Sequence, residues 1–145
     1  MESDFIVDDG GRGEAGYKGL TGDCTVRAIA IAMERSYQQV YDELFALNKT
    51  VNKNPKNCSP RNGGTKKTTI RKYLQGLGWE WTPTMFIGSG CKVHLKKDEL
   101  PVGRLIVCVS KHIVAVIDGV IHDTYDPSRG GKRCVYGYFS KAKVL

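Results

Sequence analysis

His112-Ile113-Val114-Ala115-Val116-Ile117-Asp118-Gly119-Val120-Ile121-His122-Asp123 reads as two apolar strands joined by a tight turn. Asp-Gly between such runs is the signature of a two-residue type I′ hairpin, in which both central residues take positive φ. That turn pairs Ile117 with Val120, and counting outward sets Val114 opposite Asp123 and His112 opposite Tyr125. His112, Val114 and Asp123 then share a face, with His112 and Asp123 diagonal neighbours about 7 Å apart at the backbone and within side-chain reach. An aspartate so placed can hold an imidazole in the tautomer and orientation a general base needs. His122 and Thr124 face the other way.

Outward from the hairpin, residues 104–109 predict a preceding strand and residues 135–139 a following one. Residues 79–86 read as a short strand interrupted by Pro83. The N-terminal half reads as helices. Residues 24–34 are apolar on nearly every side, which predicts a helix buried in the middle of the domain. Ser36 caps a second helix through Asn48, with Tyr37, Val40, Tyr41, Leu44, Phe45 and Leu47 as its core stripe. A third helix runs from about Lys67 to Leu77 and stops at Gly78. Between the last two lies a long Asn/Lys/Pro/Gly loop, residues 48–65. The acidic, glycine-rich residues 1–16 predict a loose arm, leaving residues 17–145 as one α+β domain, with a buried central helix packed on a C-terminal antiparallel sheet.

Cys24 stands where the glycine-rich turn Gly16-Tyr17-Lys18-Gly19-Leu20-Thr21-Gly22-Asp23 runs into the first helix. A thiol at a helix start faces unpaired backbone N–H groups and the positive end of the helix dipole, both of which favour thiolate. Cys24 is therefore a candidate nucleophile.

Composition narrows the classes further. At 145 residues and 41% apolar the chain supports one core, and no apolar run approaches the roughly 20 residues of a membrane span. The acidic start lacks the basic and apolar regions of a signal peptide, so the expectation is a cytoplasmic protein without a membrane partner. Five widely spaced cysteines, Cys24, Cys58, Cys91, Cys108 and Cys134, argue for reduced thiols rather than a disulfide framework. Cys58, Cys108 and Cys134 read as loop or core residues. Cys91-Lys92-Val93-His94 has a metal-ligand spacing, but without a second pair to complete a tetrahedral set no metal is expected, and no cofactor. The net charge of +7 is concentrated in residues 49–72, which hold eight basic residues and no acidic one. Without interleaved base-stacking aromatics this stretch reads as a solvated basic loop more than as a nucleic-acid site.

The segments Gly22-Asp23-Cys24-Thr25-Val26-Arg27-Ala28 and His112 to Asp123 resemble the papain-like cysteine peptidases, especially the compact single-domain proteins of phages and bacteria. The resemblance implies a central helix on an antiparallel sheet with the active site in the cleft between them. It makes Cys24 the nucleophile, His112 the base and Asp123 the orienting group, where papain itself uses asparagine. The implied activity is hydrolysis or transfer at a peptide, isopeptide or amide bond of a peptide or protein substrate, in the host cytoplasm if the protein is phage-encoded. Papain-like enzymes carry a glutamine shortly before the cysteine as an oxyanion donor. The stretch Lys18 to Asp23 has none, leaving Thr21, Lys18, a backbone group or no second donor at all as the alternatives. A second reading is a catalytically inactive module that uses basic loop 49–72 to bind nucleic acid or an acidic host protein.

Overall fold

The computed structural model describes residues 5–16, 23–51, 67–86 and 88–141. Along the chain these form β1 (Phe5–Val7), α1 (Cys24–Met33), α2 (Tyr37–Val51), α3 (Lys67–Gly76), β2 (Trp79–Pro83), β3 (Arg104–Val109), β4 (His112–Ile117), β5 (Val120–Asp123) and β6 (Val135–Lys141), with a 3-10 turn at Lys97–Glu99. Most of the basic loop, with Cys58, lies outside the described residues, as do Thr21 and Lys18.

The Asp118-Gly119 hairpin forms in the expected register, Ile117↔Val120, Val116↔Ile121 and Ala115↔His122. Asp118 and Gly119 take φ of 50° and 81°, as a type I′ turn requires. The Asp118 carboxylate also accepts the Gly103 backbone N–H at 2.9 Å, tying the turn to the start of β3. A second hairpin joins β3 to β4 and brings Val109 opposite His112.

The six strands lie in the order β1-β5-β4-β3-β6-β2. The expected antiparallel sheet is in fact mixed, because β1 runs parallel to β5 while the other pairings are antiparallel. The expected loose arm is likewise corrected over residues 5–16. Phe5–Val7 pair with Ile121–Asp123, and the Asp8 N–H donates to the Asp123 carbonyl at 2.8 Å. The glycines that suggested disorder are held by side-chain acceptors: Asp8 accepts the Gly10 N–H, and Asp9 accepts those of Gly11 and Gly13. A sheet edge supplies unpaired backbone groups, and the three-residue segment Phe5–Val7 satisfies them.

α1 packs on the sheet through β4, β3 and β5. Thr25 to Ala30 and Ala32 are buried on it, with the exception of no face, as its apolar sequence requires. Ile29, Ala28 and Val26 join Leu44 of α2, Leu74 of α3 and Ile106, Ala115 and Phe139 of the sheet in one core. Strand alternation sends Leu105, Val107, Val114, Val116 and Ile121 into a second cluster with Leu95 and Leu100. Full burial of each such side chain favours folding by about 1.5–3 kcal/mol, enough to fix α1 against the sheet. α2 starts as expected, with Ser36 Oγ accepting the Gln39 N–H at 3.1 Å.

Candidate active site

α1 begins at Cys24, so the thiol stands at the helix N-terminus. The residue before it is fixed by charge. Asp23 is fully buried, accepts the Tyr37 hydroxyl at 2.6 Å, and lies 3.4 Å from Arg12 Nε and 3.3 Å from Arg27 Nε. The described part of the N-terminal segment thus helps hold the chain that presents Cys24.

His112 is the first residue of β4 and Asp123 the last of β5, which places both at one end of the sheet. His112 Nε2–H donates to Asp123 Oδ2 at 2.6 Å, with both side chains buried. That bond leaves Nδ1 as the basic nitrogen for the Cys24 thiol. Asp123 Oδ1 accepts the Thr124 N–H at 2.7 Å and lies 3.6 Å from Arg27 Nη1, so both carboxylate oxygens are occupied. The Tyr125 ring lies beside His112, centroids 5.4 Å apart. His122 turns away, as hairpin parity predicts, and meets Asp8 at 3.2 Å.

The electrostatics follow from these contacts. Burial raises the pKa of the Cys24 thiol. The hydrogen bond and charge of His112, the Ile113 backbone N–H and the charge of Arg27 outweigh it and bring the thiol below its ordinary value. Burial pulls His112 down, while its hydrogen bonds to Asp123 and Cys24 carry it up to about 9. Each group's charged form favours the other's, so both shifts act toward a thiolate–imidazolium pair, with Asp123 supporting the imidazolium. Cys108, on β3 beside the same cleft, has no such partner, and burial pushes its thiol up to about 12.

Sequence reasoning passed over Arg27. Its guanidinium is buried between Asp23 and Asp123 and donates to Thr124 Oγ1 at 2.7 Å, so one side chain links the helix start to the end of β5. The signal was present: a lone charge in an otherwise apolar helix, four residues after an aspartate.

Cys24 and His112 open into a cleft of about 370 Å³. Trp81, Phe139 and Ile113 give it apolar walls, and the exposed Lys67, Arg71 and Lys111 give it a cationic rim. Trp81 and Phe139 pack with centroids 4.8 Å apart, and the Arg71 guanidinium lies 5.9 Å from the Trp81 ring centre. A larger groove of about 960 Å³ lies at the other end of α1, between Met33 and Arg104, and contains none of the three site residues.

Two expectations about cysteines change. Cys91 and Cys134 form a disulfide across 43 residues of sequence, which corrects the expectation of reduced thiols and of Cys134 as a loop or core residue. Backbone pairing of His94 with Cys134 brings the two segments together, a contact that spacing along the chain does not reveal. The same pairing supplies the third metal-type ligand that Cys91 and His94 lacked in the sequence.

Comparison of the chain with protein-family models, with curated proteins and with solved structures finds no match in any of the three.

Proposed function

We propose that this chain is a papain-like thiol hydrolase or acyltransferase that acts on a peptide, isopeptide or amide bond through Cys24, His112 and Asp123. The observation that carries the reading is the buried His112–Asp123 hydrogen bond of 2.6 Å at a cleft that Cys24 and His112 both line, supported by thiol and imidazole pKa values displaced in opposite directions.

Each step follows from this arrangement. The Cys24 thiolate attacks the carbonyl carbon, and the developing oxyanion is met by backbone N–H groups that a helix start leaves without intrahelical partners. His112 gives its Nδ1 proton to the leaving amine as the tetrahedral intermediate collapses to a thioester. Water, or a second amine in transfer, then loses a proton to His112 and displaces the thiolate. Asp123 accepts the Nε2–H throughout and fixes the imidazole. The cationic rim favours substrates carrying an acidic group near the scissile bond, and the walls of Trp81 and Phe139 favour an apolar neighbour.

Activity-based labelling with an electrophilic peptide amide, followed by mass mapping, tests the reading. The expected result is one adduct on Cys24 that requires the folded protein and is lost in His112→Ala. An adduct confined to another cysteine, or a folded His112→Ala that labels as fast as the wild type, overturns it.

A further inference from the structure

Cys91, His94 and Cys134 lie away from Cys24, and none of them lines its cleft. Each offers one ligand atom, and the three atoms lie within 4.8 Å of one another. Cys91 Sγ stands 3.5 Å from His94 Nε2. Tetrahedral zinc with Zn–S of about 2.3 Å and Zn–N of about 2.0 Å sets sulfur and nitrogen roughly 3.5 Å apart and two sulfurs roughly 3.8 Å apart. The nitrogen is therefore already at ligand spacing from the Cys91 sulfur. The sulfurs need only part by side-chain rotation across a Cα–Cα distance of 5.7 Å.

The backbone and the outer contacts fit the same assignment. Leu95 N–H donates to the Arg133 carbonyl and Val135 N–H to the Val93 carbonyl, both at 2.8 Å, so the two ligand-bearing segments are locked in register around the His94–Cys134 bridge. His94 Nδ1–H donates to Glu99 Oε1 at 3.1 Å. That bond fixes the tautomer in which Nε2, the nitrogen facing sulfur, carries the free lone pair. A carboxylate behind the imidazole is how metal-binding histidines are commonly oriented. Lys96 Nζ in turn holds the other Glu99 oxygen at 3.2 Å.

We propose that Cys91, Cys134 and His94 form a zinc site when their disulfide is reduced, with Glu99 orienting the imidazole. Reduction by a dithiol breaks the S–S bond, transfers two electrons and two protons to the protein sulfurs, and leaves the reductant as its own disulfide. Zinc then binds both sulfurs as thiolates and releases two protons, with His94 Nε2 third and water fourth. Soft thiolates with one imidazole select zinc over magnesium or calcium. Either form, disulfide or zinc, cross-links the segment before β3 to the start of β6, so the clip persists when the redox conditions change.

The full-length chain carrying Cys24→Ala, which removes the competing thiolate–imidazole pair, is reduced with a phosphine under anaerobic conditions and titrated with Co²⁺, then Zn²⁺. The expected result is one equivalent of cobalt with thiolate-to-metal charge transfer and tetrahedral d–d absorption, displaced by zinc. Without reduction no such spectrum forms. Cys91→Ser and Cys134→Ser lose thiolate intensity, and His94→Ala weakens binding by at least tenfold. Glu99→Gln keeps the spectrum but weakens binding by roughly 10–100-fold. His94→Ala retains the disulfide, so it is purified folded and oxidised before reduction. Reduced protein that shows no cobalt spectrum overturns the proposal, as does a spectrum unchanged by His94→Ala or present in the oxidised protein. None of these readouts depends on Cys24 as a nucleophile.

Discussion

Arg27 Nη1 lies 3.6 Å from Asp123 Oδ1, which joins the first turn of α1 to the end of β5. The same guanidinium reaches Asp23, the residue before Cys24, at 3.3 Å. Cys24 and Asp123 come from segments about a hundred residues apart, and this side chain ties the two segments together. A buried charge pair of this kind adds little net stability over an apolar replacement of the whole set, but removal of one partner strands the others without water.

Arg27→Met should therefore destabilise the fold by about 3–5 kcal/mol, measured by urea unfolding, and slow Cys24 alkylation in the protein that remains folded. Arg12 and the Tyr37 hydroxyl both meet Asp23 Oδ2, and Asp123 keeps His112 and the Thr124 N–H, so the buried oxygen that loses its cation without another contact is Asp23 Oδ1. Arg27→Lys should recover only part of the loss, since an ammonium cannot span both carboxylates as the planar fork does. A loss below about 1 kcal/mol for Arg27→Met, within the range of a surface ion pair, would show that the clamp contributes nothing.

The lowered Cys24 pKa and the raised His112 pKa set the pH dependence. Iodoacetamide should modify Cys24 first among the cysteines at about pH 6, well below the ordinary thiol value of about 8.5. Anionic iodoacetate should hold an added advantage that fades as His112 loses its proton near 9. His112→Gln should abolish both effects. The linkage has a definite sign. The folded His112 pKa is raised, so the stability its charge contributes is fully present below the unfolded value of about 6.5 and is lost as pH rises through about 9. The stability gap between wild type and His112→Gln, followed by chemical denaturation, should narrow across that window. A constant gap would show that the charge on His112 is not what the site stabilises.

The hairpin was legible because Asp118-Gly119 can satisfy two positive φ values where most pairs cannot, and strand parity then carries His112 to Asp123 and turns His122 toward Asp8. α1 was legible because a helix apolar on all sides has only the interior to occupy. β1 was not, because three residues on a sheet edge depend on hydrogen bonds to a strand more than a hundred residues later. The Cys91–Cys134 bond was hidden for the same reason: the pairing of His94 with Cys134 creates it, and neither segment has a local pattern that announces the other. Arg27 carried a local signal, but a buried arginine gains its meaning only when both of its carboxylates are in place.

Gly137 of β6 provides a test of the cleft wall. A Cβ there would overlap the Trp81 ring and come within 2.8 Å of the Thr82 carbonyl oxygen, so the ring lies where only glycine leaves room. Gly137→Ala should cost about 1–3 kcal/mol by overpacking and displace Trp81. Shifted tryptophan fluorescence and a raised KM with little change in kcat are the expected signatures, because the substituted residue touches the wall and not the reacting atoms. Unchanged fluorescence in the folded variant would mean that the strand, rather than the ring, absorbs the added methyl.

Asp123→Asn separates orientation from charge. An amide oxygen can accept from His112 Nε2–H as the carboxylate does, which is the arrangement the asparagine of papain suggests. Here the remaining group, the NH2, would face the Thr124 N–H now 2.7 Å from Asp123 Oδ1 and the Arg27 guanidinium beyond it, placing donors against donors in a buried site. Asp123→Asn should therefore approach Asp123→Ala in loss of Cys24 reactivity and cost about 2–3 kcal/mol of stability. In an Arg27→Met background one of the opposing donors is gone, and the added cost of Asn should fall, giving a coupling energy of about 1 kcal/mol or more in the double-mutant cycle. Strict additivity, or an Asp123→Asn protein whose Cys24 reacts as fast as in the wild type, would place Arg27 outside the unit that positions His112.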